Sequence, residues 1–493
     1  MKQNRTLALL LAMLLATAGC LHSCGSTETE TEKTPETTLQ TETETEDPHL
    51  DDLPETMDLG GRTMRFLVQT EEYASNEILV EELTGEVIND AVFTRNSNLS
   101  QRLNVSIEQD LTTTGSYDTA TRRLSNLVTA GSDDFDLFCS NSGNTSAVAT
   151  TGVLTELTGL TYLDLSKEYW SQGFNETATI GHKQYFCTGP MALGFYRYLM
   201  VELFNKSMFD RYEIEYPYET VLAGTWTMEA QNALAEQFYV DTNGDGNRDA
   251  EDTYGFYTRA NNDTSINDGY WASLDLRTIT KDENDAYVYN VDVESFVNGL
   301  DKLLILMKGN GSYTAAENDD AIYKHFAQGQ TAMINARLYK VEDEVLRNME
   351  DEYGVLPLPK ADAAQENYYS LAQDQFLVYG IPLSVAQDGL EDIGMFLEAY
   401  ASESYLVVRP AYYETVLTVK YMNDKESSAM LDIVANNMYI DPAILYIATF
   451  NFNVGTLREI LKNGENTIAS KIASTQKAMT ASVQELNEFY MGE

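Results

Sequence analysis

Histidine, cysteine and tryptophan are scarce in this 493-residue chain, and cations are outnumbered. The four histidines are His22, His49, His182 and His325, and no two stand at ligand spacing. A histidine-built metal centre or proton relay is therefore not signalled. The four cysteines, Cys20, Cys24, Cys139 and Cys187, form no CxxC, which removes a thiol-redox motif and a zinc knuckle. There is no HExxH, no GxSxG and no phosphate-binding loop. No pair of carboxylates is singled out by its spacing, so the chain reads as a non-enzyme. Lys and Arg number 32 against 77 Asp and Glu, a formal net charge of -45. Such a surface repels phosphate backbones and anionic lipid, so nucleic acid is not an expected partner.

The segments that are present begin with an export signal. Lys2 and Arg5 precede an unbroken apolar run from Leu7 to Ala16. That run falls short of the roughly 20 residues a spanning helix needs, and it reads as the core of a secretory signal. Thr17-Ala18-Gly19-Cys20 follows, small residues before a cysteine, as in a lipoprotein processing site. Cys20 is the expected lipidation site and Cys24 the alternative. Residues 1–20 are thus a signal peptide. Residues 21–59 are a Thr/Glu-rich acidic tether with too little apolar surface to fold alone. The expected location is the extracytoplasmic face of a membrane.

From residue 60 the pattern is that of an α/β protein. Thr63–Val68, Val105–Ile107 and Phe135–Cys139 read as strands, separated by a helix with Ile88, Val92, Leu99 and Leu103 on one face and another that ends at Gly131. This alternation implies a parallel sheet covered by helices. Phe296, Leu300, Leu303, Leu304 and Met307 mark a later amphipathic helix, and Thr331–Ile334 a later strand. The remaining cysteines lie in strand-like DLFCS and QYFCTG; they either pair or stay buried as thiols.

The sharpest local pattern is Asp241–Asp252. Asp241, Asn243, Asp245, Asp249 and Asp252 occupy positions 1, 3, 5, 9 and 12 of a twelve-residue loop, with Gly246 at the turn. Asn247 offers its backbone carbonyl at position 7. Oxygen ligands at this spacing suit calcium in a structural role. The Asp at position 12 is closer to dockerin-type loops than to EF-hands.

Several segments together resemble the extracellular solute-binding proteins of family 1, which serve carbohydrate ABC importers. They are GEVINDAVFTRNSNLSQRLNVSI, YLMVELFNKSMFDRYEIEYPYE, GTWTMEAQNALAEQF, FAQGQTAMINA, YGVLPLPK and RPAYYETVLTVKYMNDKESSAMLDIV. The resemblance implies a two-lobed periplasmic-binding-protein-like fold of type II, each lobe a doubly wound sheet, joined by crossing hinge strands. The first lobe would take residues 60–190 and 358–405, the second 191–357 and 406–493. It implies a monomeric receptor that captures a carbohydrate between its lobes and delivers it to permease subunits. A receptor for a peptide or other non-sugar solute, and a surface glycan-processing enzyme, are the alternatives. Ligands of such sheets lie beyond the carboxyl ends of strands, and sugars favour aromatic platforms beside directed polar groups. The candidate contacts are therefore Tyr73, Asn141, Tyr270, Trp271, Asp374 and Phe452. Arg337 and Tyr339 join them because the resemblance places a sugar contact in their turn.

Overall fold

Residues Arg62–Gln69 carry Met64, Phe66, Leu67 and Val68 in a nearly continuous apolar run, and such a run needs cover on both faces. All four are at most 1% exposed. The computed structural model describes residues 49–70, 75–113, 118–418, 425–450 and 452–492. Strands among these residues are β1 (Arg62–Gln69), β2 (Val105–Thr112), β3 (Leu137–Asn141), β4 (Met200–Asn205), β5 (Tyr254–Tyr257), β6 (Ile279–Lys281), β7 (Tyr287–Tyr289), β8 (Ser312–Tyr313), β9 (Thr331–Arg337), β10 (Tyr353–Leu356) and β11 (Leu377–Gly380).

They form two main sheets and a small hairpin. The first sheet has the order β11-β3-β1-β2. β1 runs parallel to β2 from Arg62 opposite Val105, and parallel to β3 at Phe66 opposite Leu137. Helix Val87–Leu103 buries Ile88, Val92, Leu99 and Leu103, the face read from their spacing. Gly131, at φ 67°, ends helix Asp118–Ala130 in the left-handed conformation, which glycine adopts at least cost. The second sheet has the order β10-β4-β9-β5-β8, with β5, β8 and β9 parallel and β4 antiparallel to β9 and β10. β6 and β7 pair only with each other.

The first sheet departs from the expected all-parallel one at β11, which is antiparallel to β3 with Val378 opposite Ser140. The chain re-enters this sheet from the second one, at the carboxyl ends of β1 and β3, so β11 must run the other way. Two connecting segments lie side by side there. Met200 N donates to Leu371 O at 2.8 Å, and Gln373 N to Tyr198 O at 3.0 Å. A third connection is helical: Gln387–Glu403 continues through a π-helical turn, Ser404–Val408, into Arg409–Thr418. Residues 440–445 tie back to the first sheet's helices. Thr177 Oγ1 donates to Ile440 O at 2.7 Å and Ser146 Oγ to Leu445 O at 2.6 Å. No helix among the described residues is long and apolar enough to cross a membrane.

The cysteine question has a geometric answer. Cys139 and Cys187 are both free and buried. Cys187 is not in a strand; it makes an isolated antiparallel bridge to Tyr379 of β11. Cys139 faces that same Tyr379 from β3 on the other side. One strand therefore separates the two, and two strand spacings put their Cα atoms roughly 10 Å apart, beyond the roughly 7 Å a disulfide can span. Burial pushes the Cys139 thiol up, and pushes the Cys187 thiol up too. Peptide mapping after alkylation should find both unmodified in the native protein and both modified after denaturation without reductant. A Cys139–Cys187 disulfide peptide would contradict the placement.

Candidate functional site

The paired connecting segments bring the carboxyl ends of β3 and β9 to residues 373 and 374. Asn141 closes β3 and caps the helix Ser142–Ala149, its Oδ1 accepting from Asn144 N at 2.9 Å. Directly after it, Ser142 N and Ser142 Oγ both donate to Asp374 O at 3.2 Å. Arg337 closes β9, and its Nη1 donates to Gln373 Oε1 at 2.7 Å. Its guanidinium lies 5.4 Å from the ring centre of Tyr339, which packs edge-on against Tyr198 at 5.5 Å. Four of the candidates, Asn141, Arg337, Tyr339 and Asp374, thus gather round one junction of the two sheets.

Charged groups that the sequence reading did not single out complete this junction, which lies where the lobes of the two sheets face a shared cleft in a two-lobed fold. Asp268 stands just before the helix Gly269–Ser273, buried, with both oxygens accepting from Arg458. Burial raises the Asp268 carboxyl to about 6, with Arg458, and more weakly Arg337, pulling it down. Asp374 is also raised, chiefly by burial, against Gln375, Arg458 and Arg337. Its closest side-chain partner is Gln375 Nε2, at 3.3 Å. Arg259 Nη1 reaches Asp319 at 3.2 Å on the same rim. Behind them Asn267 Oδ1 accepts from Thr258 Oγ1 and from Asn335 Nδ2, each at 3.0 Å. The cations of this cluster are thus already matched by acceptors, and the buried amides and hydroxyl behind them satisfy one another.

Three candidates lie elsewhere. Tyr270, Trp271 and Phe452 are fully buried. Trp271 packs edge-on against Phe296 and Phe452, 5.7 Å from each ring centre, and Tyr270 Oη donates to Asn335 Oδ1 at 3.4 Å. Their rings hold the Gly269–Ser273 helix in the core and offer no face to a ligand in this conformation. Gly269 explains why: a Cβ there would meet Leu358 at 2.5 Å and Met200 at 2.6 Å, so the helix presses flat on the sheet. Tyr73 lies outside the described residues, as does Cys20.

The loop Asp241–Asp252 folds on its own amides. Asp241 accepts from Gly244 N at 2.7 Å and Gly246 N at 3.0 Å, and Asp245 accepts from Asn247 N at 2.7 Å. Asp252 is buried at its base and accepts from Thr242 N at 3.1 Å. Asp249 accepts from Glu251 N at 2.8 Å, and Asn243 from Asp245 N at 3.0 Å. Among the described residues no three acidic, histidine or cysteine side chains gather as a cation cage, so this conformation does not present a formed one.

No family model matches the sequence, and no curated protein does. Solved structures do match. UspC of M. tuberculosis aligns at a TM-score of 0.54 with 14% identity, over 85% of this chain and 100% of that one. A cyclo/maltodextrin-binding protein complexed with maltotetraose aligns at 0.56 with 13% identity, over 86% and 97%. The chain has the two-lobed fold of periplasmic binding proteins. A sugar transporter from Rhizobium etli in an open conformation shares it, at 0.54 with 15% identity over 86% and 99%. The two main sheets are the cores of the two lobes; the second of these neighbours is a binding protein and the third a sugar transporter.

Proposed function

We propose that this chain is the carbohydrate-binding component of an ABC importer, held outside the cell by a lipid on Cys20 and acting as a monomer beside its permease subunits. The observation that carries this reading is the junction at residues 373 and 374. Polar side chains from both sheets converge there, in a fold shared with a maltodextrin-binding and a sugar-transport protein. A sugar between the lobes would accept hydrogen bonds from Arg337 and donate to Asp374, with Asn141 and Tyr339 at the margins. Residues 60–190 with 358–405 and 191–357 with 406–493 would move as the two lobes. A catalytic reading needs a free acid and base, and Asp268, the most buried of the cleft carboxylates, has both oxygens engaged by Arg458. A peptide receptor is the other reading, and the same screen separates it from a sugar receptor.

A ligand that binds only the folded state raises the melting temperature. Screening mono- and oligosaccharides, maltotetraose included, should give at least one such rise. Arg337→Ala should weaken the best ligand by about 1.5–3 kcal/mol, the scale of a hydrogen bond to a charged group. A rise with peptides alone, or undiminished sugar affinity in Arg337→Ala, would count against the proposal.

The ligand spacing of Asp241–Asp252, with Gly244 and Gly246 at φ 73° and 76°, supports calcium binding by a loop that tightens on the ion. Chelation should then lower the melting temperature of the parent and leave Asp245→Ala unchanged; identical curves with and without calcium would refute it. The lipid is read from intact mass: a mature chain beginning at an unmodified residue would exclude an anchor at Cys20.

A further inference from the structure

Away from the cleft, a second cavity of about 270 Å³ lies where the connections meet the first lobe. Tyr169 and Trp170 form one wall, Gly189 of the first connection another, and Tyr405, Arg409 and Asn436 close it. None of these residues belongs to the cleft cluster. The aromatic wall is fixed from behind, since Trp170 Nε1 donates to Glu398 at 3.2 Å and Tyr169 Oη donates to the same carboxylate.

Arg409 is the unusual member. Residues 405, 409 and 413 stand four apart, and the π-helical turn Ser404–Val408 leads directly into Arg409. The guanidinium is consequently held between two rings, 4.5 Å from the centre of Tyr405 and 5.4 Å from that of Tyr413. Its flat faces lie against the two rings, and one of its N–H groups is taken by the Tyr413 hydroxyl. The groups that act on it are Tyr196, Tyr405 and the Tyr413 hydroxyl, and among the described residues no carboxylate stands within salt-bridge distance. In a chain with 77 acidic residues, a half-buried, clamped arginine without a carboxylate is a vacancy in the charge pattern. Glu168, exposed at the mouth, does not fill it.

A planar guanidinium fork matches a carboxylate through two parallel hydrogen bonds. The cavity has room for roughly nine waters at about 30 Å³ each, which is the bulk of a monosaccharide. Of its aromatic walls Tyr169 and Trp170 are all but buried, and Tyr405 is the ring left part-exposed for the apolar face of such a sugar. We infer that this cavity is a second ligand site, for a small hydroxylated carboxylate of monosaccharide size, such as a hexuronate. The inference stands whatever the cleft binds.

Calorimetric titration of the full chain with glucuronate tests it. Saturable binding is expected, weakened about tenfold or more in Arg409→Gln and unchanged in the cleft variant Arg337→Ala. Tyr405→Ala, which removes one face of the clamp, should also weaken it and serves if Arg409→Gln does not fold. No saturable binding to the parent, or full affinity in both hinge-side variants, would overturn the assignment. Loss of glucuronate binding in Arg337→Ala would overturn it too, by moving the anion to the cleft.

Discussion

The antiparallel contact between residues 198–200 and 371–373 is the constraint on which the rest of this structure depends. Backbone bonds from Met200 to Leu371 and from Gln373 to Tyr198 hold the two crossing segments in register. Leu338 N adds a third bond, to Leu199 O at 2.9 Å, and so fixes the exit of β9 to the same place. The approach is close: a Cβ on Gly194 would sit 3.0 Å from the Cα of Phe376. A side chain there would push the first connection off the second. With this register set, β4 must leave and β11 must return at one end of each sheet. Asn141, Arg337 and Asp374 are then brought to one junction without any further device.

The electrostatics of the cleft follow from its burial. A chain with net charge -45 should repel anions and leave buried carboxylates costly. The cleft places Arg337 and Arg458 where Asp268 and Asp374 lose water, with Arg259 paired to the part-exposed Asp319 on the rim. Arg458 and Arg259 are paired with Asp268 and Asp319 before any ligand arrives, whereas Arg337 and Asp374 each meet a neutral amide. A neutral, hydroxyl-rich ligand needs no further counter-charge, whereas a charged one would leave an ion unpaired.

Parts of this were legible in the sequence because they are local. The face of Val87–Leu103, the cap at Gly131 and the buried run of β1 each follow from spacing within a few residues. Arg337, Asp374 and Asn141 were legible as strand ends or neighbours of the crossover. What could not be read depends on distant partners. Asp268 meets Arg458 across 190 residues. Trp271 was read as a sugar contact, yet Phe296 and Phe452 enclose its ring. Phe452 was read as a stacking residue, and it does stack, but on Trp271. The direction of β11 was illegible for the same reason, since it is set by the crossing segments and not by its own residues.

The central claim is that a ligand seated at the junction of residues 141, 337 and 374 draws two lobes together about the crossing segments. Small-angle X-ray scattering of the full chain, with and without a saturating sugar that binds it, tests this directly. Hinge closure of this kind predicts a smaller radius of gyration in the bound state and no change with a sugar that does not bind. An identical scattering curve for free and saturated protein would contradict capture by closure.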